Sequence, residues 1–248
     1  MCFLAAAACA ESTPSDGPSD AGHDPVDGGQ GPGGNPDVLV SQRTSRGSSI
    51  AVDEEHRTLA VANKATNDVT LFDLPDLVFR AHIPVGKEPV SVSFSPDGTT
   101  LYVVNRGSKS VTIIDGVDGN SWAVRRQVAV GSEPTSGALS PTGAFFYVAN
   151  WADGTMSVVD TAQGTVAEVV ELGGAPYAVC VSNDFDEEDG DEYIYVTDFY
   201  SQPISGQREA TDGSREGRLF KIAPTAGNYQ IQPIALPALR VKGIEDFI

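Results

Sequence analysis

The chain has 248 residues, of which 40% are hydrophobic, and its formal net charge at pH 7 is −18. A nucleic-acid partner is excluded because phosphate binding needs clustered basic side chains, and the 16 Lys and Arg residues are scattered. Three cysteines, Cys2, Cys9 and Cys180, are too few and too far apart for a disulfide framework or a CxxC metal site.

The first ten residues form a short apolar run that ends in small residues before Cys9. They resemble the end of a bacterial lipoprotein signal peptide, although the run is short and carries no basic residue. We interpret residues 1–10 as a truncated signal peptide of this kind, with Cys9 as the lipidation site. The alternative is an ordinary chain terminus.

Residues 11–37 have almost no side chains that could build a core. Gly, Pro, Asp and Ser fill 20 of these 27 positions, and such a segment buries too little apolar surface to offset its ordering entropy. We predict a disordered tether between an anchored Cys9 and a folded domain, or else a linker with no anchoring role. The combination favours a lipid-anchored protein of the cell envelope, in the periplasm or on the outer surface, which contacts the membrane only through its lipid.

A short apolar motif that ends in asparagine occurs three times along the chain. The copies are Leu59–Asn63, Leu101–Asn105 and Phe146–Asn150, and each is followed by a second apolar run that ends in aspartate. Short apolar runs and tight turns that recur every 40 to 45 residues or so are typical of β-propeller blades. The sequence therefore predicts an all-β fold.

Four blades of four antiparallel strands are predicted within a propeller domain of residues 38–248. The blades cover about residues 46–89, 90–134, 135–176 and 177–236, and a stub follows them. In the second blade, Ser95-Pro-Asp-Gly98 is a typical turn between the first two strands. Gly86-Lys-Glu-Pro89 and its later counterparts carry the chain from the outer strand of one blade to the inner strand of the next.

Blade 4 departs from this pattern in two loops. Its first hairpin tip is enlarged to residues 183–192, and a long loop runs from Phe199 to about Gly217 before the third strand. Extra loop length on a rigid scaffold is where function is usually added. We therefore expect blade 4 to carry the individual features of this protein.

The repeats resemble the YVTN β-propeller family of surface-layer proteins and periplasmic proteins of the YncE type. The resemblance covers residues 46–236 and rests on Leu101–Asn105 and the upstream Ser95–Gly98 turn. It implies a propeller, usually of seven blades, in a family made up largely of scaffolds and binders. Because the chain has four predicted blades, we favour a partial ring over a closed four-bladed ring.

The second strand of each blade should end on the propeller face that carries the crossovers. Each motif asparagine is expected to satisfy backbone groups of its turn. The neighbouring side chains would form a channel mouth that binds an acidic or aromatic ligand by charge and stacking. The predicted mouth residues are Lys64, Arg106, Trp151, Asp198, Phe199 and Tyr200.

The enlarged tip of blade 4 is dense in carboxylates, which are the ligands that Ca²⁺ prefers. The candidate ligands are Asp184, Asp186, Glu188 and Asp189. Their spacing does not fit an EF-hand, so a solvated charged tip is the preferred interpretation and a calcium site the alternative. No other cofactor is indicated, and the three histidines are not grouped with a nucleophile or a metal-binding motif.

Two classes of function remain open from the sequence. The preferred hypothesis is a non-catalytic envelope propeller that binds a protein or a small molecule on one face, or serves as a scaffold. The alternative is a propeller enzyme of the lactonase, quinoprotein or haem-reductase type, or the propeller part of a longer redox protein.

Overall fold

The computed structural model describes residues 41, 44–117, 121–208, 214–225 and 227–237. The regular structure of these residues is seventeen β-strands, and no helix among them is long and apolar enough to cross a membrane. The predicted signal peptide, the tether and the stub from residue 238 onward lie outside the described residues, so those assignments stay predictions.

The strands form four consecutive antiparallel sheets, which confirms the predicted blades. Blade 1 contains β1 (Ile50–Asp53), β2 (Thr58–Asn63), β3 (Asp68–Asp73) and β4 (Val78–Pro84). Blade 2 contains β5 (Pro89–Phe94), β6 (Thr100–Asn105), β7 (Ser110–Val117) and β8 (Ser121–Ala129). Blade 3 contains β9 (Pro134–Leu139), β10 (Phe145–Asn150), β11 (Thr155–Asp160) and β12 (Thr165–Glu171). Blade 4 contains β13 (Pro176–Val181), β14 (Ile194–Asp198), β16 (Arg215–Thr225) and β17 (Asn228–Leu236), and the two-residue β15 (Gln202–Pro203) pairs with the start of β16.

Each blade is buried on the faces that contact its neighbours. This explains why the repeated motif is a continuous apolar run. In β6, Leu101 and Val103 pack against blade 1, whereas Tyr102 and Val104 pack against blade 3. Since alternate residues of a strand point to opposite faces, both sets must be apolar. Stacking of adjacent blades thus builds one core at each interface.

The third strand of blade 4 begins earlier than predicted. It starts at Arg215 rather than Arg218, because Arg215 and Glu216 pair with β15 and Gly217 pairs with Leu236 of β17. The long loop therefore contains a small hairpin of its own.

Residues 44–49 precede blade 1 and form a segment that we call the axial strap. It runs beside the innermost strands, and Arg46 forms an antiparallel bridge with Cys180 of β13. Backbone N–H groups from three other blades donate to the strap: Val92 to the Ser48 carbonyl (2.7 Å), Leu139 to Ser45 Oγ (2.7 Å) and Val181 to the Ser45 carbonyl (3.0 Å). The strap thus joins blades 2, 3 and 4 before the chain enters blade 1.

The Ser95–Gly98 turn of blade 2 forms as predicted and holds a carboxylate at its centre. The Gly98 N–H donates to the Ser95 carbonyl (2.9 Å), and Gly98 adopts a φ of 66°. Asp97 accepts hydrogen bonds from the Ser95 hydroxyl, the Thr99 N–H (3.1 Å) and the Thr99 hydroxyl (2.7 Å). Burial raises the pKa of Asp97, but these hydrogen bonds outweigh it and leave the pKa below its ordinary value of 3.8.

We expect this turn to contribute stability that depends on pH. Because the pKa of Asp97 is lowered in the folded state, its contribution is complete above the unfolded-state pKa and is lost as the pH falls through the folded-state pKa. Asp97→Asn should therefore lower the free energy of unfolding by about 1 kcal/mol at pH 7 and by less in acid. Urea unfolding at a series of pH values measures this. Asp97→Thr, which copies Thr142 of blade 3, is the matched control and should give the same flattened profile. A native pH profile in both variants would contradict the assignment.

Candidate functional site

The turns after the second strands lie on the same face as the crossovers, as predicted. Three backbone hydrogen bonds join them: Arg106 N–H to the Glu88 carbonyl (2.9 Å), Trp151 N–H to the Glu133 carbonyl (3.1 Å) and Phe199 N–H to the Ala175 carbonyl (2.8 Å). We call this surface the crossover face. The six predicted mouth residues lie at the ends of the second strands or in the turns that form this face.

The motif asparagines have a wider role than the one predicted. Asn105 and Asn150 are completely buried. Their side-chain amides donate chiefly to hydroxyls of the third strand: Asn105 Nδ2 to Thr112 (2.8 Å), and Asn150 Nδ2 to Thr155 (3.0 Å) and Ser157 (2.9 Å). Asn105 Nδ2 also donates to the backbone carbonyls of Ser110 (3.2 Å) and Val103 (3.3 Å), so the predicted backbone role is met in part, while the shorter bonds tie the second strand to the third.

A glycine of the preceding crossover lies directly on each buried asparagine. A Cβ on Gly131 would lie 2.6 Å from Asn150 Cγ, and a Cβ on Gly86 would lie 2.7 Å from Asn105 Cγ. Such distances are well inside van der Waals contact. The crossover glycine and the motif asparagine therefore form one packing unit.

The two predicted cations on this face are paired with glutamates in a repeating arrangement. Lys64 Nζ lies 3.6 Å from a Glu88 carboxylate oxygen, and Arg106 donates to Glu133. Both glutamates stand just before the proline of their crossover in a left-handed conformation, with φ of 52° and 49°. Because each cation is neutralised by the next crossover, the charge available to attract an acidic ligand is smaller than predicted.

An open cavity lies on the crossover face between blades 1 and 2. It has a volume of about 560 Å³ and is lined by Lys64, Ala65, Asn67, Lys87 and Glu88. The Glu88 N–H donates to Asn67 Oδ1 (2.8 Å), which fixes the crossover at this point. Two lysines and one glutamate thus border the same open space.

Four rings meet at the junction of blades 3 and 4, and we call them the aromatic patch: Trp151, Tyr177, Phe199 and Tyr200. The Phe199 centroid lies 5.0 Å from those of both Tyr177 and Tyr200, and the Trp151 centroid lies 6.1 Å from that of Tyr200. Phe199 and Tyr200 are 52% and 54% exposed. The structure therefore brings three predicted mouth residues together and adds Tyr177, which the sequence analysis missed.

The side chain of Asp198, a predicted mouth residue, is buried and serves as an anchor. Its Oδ2 accepts from Arg218 Nε (2.9 Å) and Nη2 (2.6 Å) and from Gln202 Nε2 (3.0 Å), and its Oδ1 accepts from the Ala175 N–H (2.9 Å). Since Thr197 pairs with Leu219, Arg218 faces Asp198, at the place where a small hydroxyl residue faces the asparagine in blades 2 and 3. Blade 4 therefore has Asp198 in place of the motif asparagine and Arg218 in place of its hydroxyl partner on the third strand.

The carboxylates of the enlarged tip divide into two groups. The first contains exposed groups whose oxygen atoms lie within 4.8 Å of one another: Asp184, Asp186 and Asp191. Asp189 instead accepts from the N–H (3.0 Å) and the hydroxyl (2.5 Å) of Thr142 in blade 3. Glu188 is not part of the first group. The structure thus brings two of the four predicted calcium ligands together and uses Asp189 to join two blades.

Neither described histidine forms a proton relay with a nucleophile. His82 Nδ1 lies 2.9 Å from Thr70 Oγ1 and 3.9 Å from Asp68 Oδ1, so both oxygens face the same ring nitrogen. A hydrolytic triad needs its base and its orienting acid on opposite nitrogens. His56 contacts Asp53 (2.7 Å) at the hairpin tip of blade 1.

Comparison with known proteins supports the propeller architecture. Residues 35–121 match the model of a family described as lactonase, 7-bladed beta-propeller. Among curated proteins no sequence match is found.

Several solved structures share the fold at low sequence identity. A periplasmic gluconolactonase from Pseudomonas aeruginosa has a TM-score of 0.53 and 17% identity, with 78% of this chain and 55% of that chain covered. A protein from Lactobacillus plantarum has a TM-score of 0.55 and 17% identity, with 77% and 57% covered. Hydrazine synthase from Kuenenia stuttgartiensis has a TM-score of 0.51 and 19% identity, with 84% and 69% covered. The chain thus spans little more than half the length of the first two structures.

Proposed function

We propose that this chain is part of a lactonase-type propeller that hydrolyses a sugar lactone. The observation that carries the proposal is the family match, which runs from residue 35 through blade 1 and most of blade 2. A neighbour in the comparison of folds is named as a gluconolactonase. The sequence alone favoured a non-catalytic module over a propeller enzyme. With the family match, we prefer the enzyme.

The cavity between blades 1 and 2 offers the groups that lactone opening needs. Hydrolysis of an ester bond requires a base that activates water and a positive group near the oxyanion that develops. Glu88 supplies a carboxylate, and Lys64 and Lys87 supply ammonium groups around the same open space. We therefore assign Glu88 as the base and Lys87 as the oxyanion donor, whereas Lys64, which is paired with Glu88, positions that carboxylate.

An assay with glucono-1,5-lactone tests this function. Opening of the lactone releases a proton, so a pH indicator follows the rate, with the spontaneous rate subtracted. We expect catalysis by the native chain and a loss of about 100-fold in Glu88→Gln, because a general base contributes at least that much. Glu133→Gln is the matched control, since Glu133 has the same place in the next crossover but lies outside this cavity. Absence of catalysis with this lactone and with its 6-phosphate would overturn the proposal.

A binding module is the second candidate, and the aromatic patch favours it. Its exposed rings present apolar surface at the junction of two blades, and contiguous exposed apolar surface often marks a binding site. The narrower YVTN resemblance fits such a module. From the sequence we also propose envelope localisation, a lipid anchor at Cys9 and calcium binding at the tip of blade 4.

A further inference from the structure

The aromatic patch replaces an ionic arrangement found in the earlier blades. The residue after the motif is Lys64 in blade 1 and Arg106 in blade 2, and each pairs with a glutamate of the next crossover. The same position holds Trp151 in blade 3 and Phe199 in blade 4. Two adjacent blades have therefore changed from charged to aromatic side chains at equivalent places.

The exposed rings are held by the backbone beneath them. The Phe199 N–H donates to the Ala175 carbonyl (2.8 Å), and Gln202 Nε2 donates to the Tyr200 carbonyl (3.3 Å) and to buried Asp198 (3.0 Å). A ligand that binds to rings fixed in this way has less conformational entropy to remove. The patch is thus preorganised for contact.

Arg106 and Arg218, two cations beside the patch, are each paired with a carboxylate, which favours an uncharged ligand. Arg106 is bonded to Glu133, and its guanidinium carbon lies 5.4 Å from the Trp151 ring centroid. Arg218 is bonded to Asp198. The Arg106 guanidinium would repel a cationic ligand. An anionic ligand would have to compete with Glu133 for Arg106, and the net charge of −18 on the chain would repel it.

We propose that the aromatic patch binds a neutral oligosaccharide built of hexopyranose units joined through equatorial bonds. Such units expose axial C–H groups on their flat faces, which pack on aromatic rings, while their hydroxyls point outward to polar groups and water. The Phe199 ring plane is inclined by 47° to that of Tyr177 and by 85° to that of Tyr200, so the rings offer separate contacts to successive sugar units and not one flat platform. This site lies at the blade 3–4 junction and is separate from the cavity assigned to lactone hydrolysis.

Titration of the full chain with cellotetraose and with chitotetraose tests the proposal. Calorimetry or saturation-transfer NMR should detect binding of at least one of them with a Kd of about 1 mM or lower. Phe199→Ala and Tyr200→Ala should each weaken binding about tenfold, which corresponds to about 1.4 kcal/mol. Both side chains are more than half exposed, so these variants should fold.

Phe79→Ala is the matched control, because Phe79 is 54% exposed but lies on the outer strand of blade 1. It should bind as the native chain does. Absence of binding to both tetrasaccharides at about 10 mM, or equal loss in Phe79→Ala, would overturn the proposal. Neither sugar contains a lactone, so this result is independent of the glucono-1,5-lactone assay.

Discussion

Replacement of Arg218 by alanine is expected to lower the free energy of unfolding by about 3 kcal/mol. The Asp198 side chain is completely buried, and Arg218 supplies two of the hydrogen bonds to its Oδ2. A buried carboxylate that loses its cation keeps the cost of desolvation without the compensating attraction. Urea unfolding at pH 7, followed by circular dichroism, measures the change.

The chain itself provides the control for this experiment. The double variant Asp198→Asn with Arg218→Thr copies the pair Asn150 and Thr155 of blade 3. Since no charge is then buried, it should regain much of the stability lost in Arg218→Ala, and a double-mutant cycle gives the coupling between the two positions. An Arg218→Ala variant as stable as the native chain would show that the pair contributes nothing.

Gly131→Ala is expected to destabilise the fold by about 2 kcal/mol. The added Cβ would lie 2.6 Å from Cγ and 2.7 Å from Nδ2 of Asn150. Asn150 is buried and bonded to Thr155 and Ser157, so it cannot move aside without loss of those bonds. Thermal or urea unfolding of the variant checks this expectation.

The control variant is Gly190→Ala, since a Cβ at Gly190 would meet no atom within 4 Å. It should change the free energy of unfolding by no more than about 0.5 kcal/mol. Equal stability of the two variants would mean that the crossover glycine tolerates a side chain. The contact between crossover and motif would then have no structural role.

Local chemistry made the blades predictable from the sequence. The Ser95–Gly98 turn and the apolar run Leu101–Asn105 are specified by neighbouring residues, and the structure has the turn and the strand where they were expected. The axial strap was not predictable in this way. Ser45 and Ser48 carry no strand pattern, and their partners lie far away in the chain.

The site was predicted in part for a similar reason. Antiparallel geometry placed Trp151, Phe199 and Tyr200 on one face, because strand direction alone decides which ends meet. The sequence did not reveal Arg218 as the partner of Asp198, because the long loop separates the two residues. In blades 2 and 3 the third-strand partner follows the motif asparagine by five residues, but Arg218 follows Asp198 by 20. Insertion in a loop thus preserves a contact in space and removes its signal from the sequence.

The axial strap also has a consequence for the order of folding. Its bond to Leu139 spans 94 residues of sequence, whereas each blade is built from hairpins of neighbouring strands. Contacts between distant residues tend to form after local ones, because closing a long loop of chain has a larger entropic cost. The strap precedes all four blades in the chain, and its contacts with β13 cannot form before blade 4 is made. We therefore expect the strap to complete its docking late, although it is synthesised before the blades.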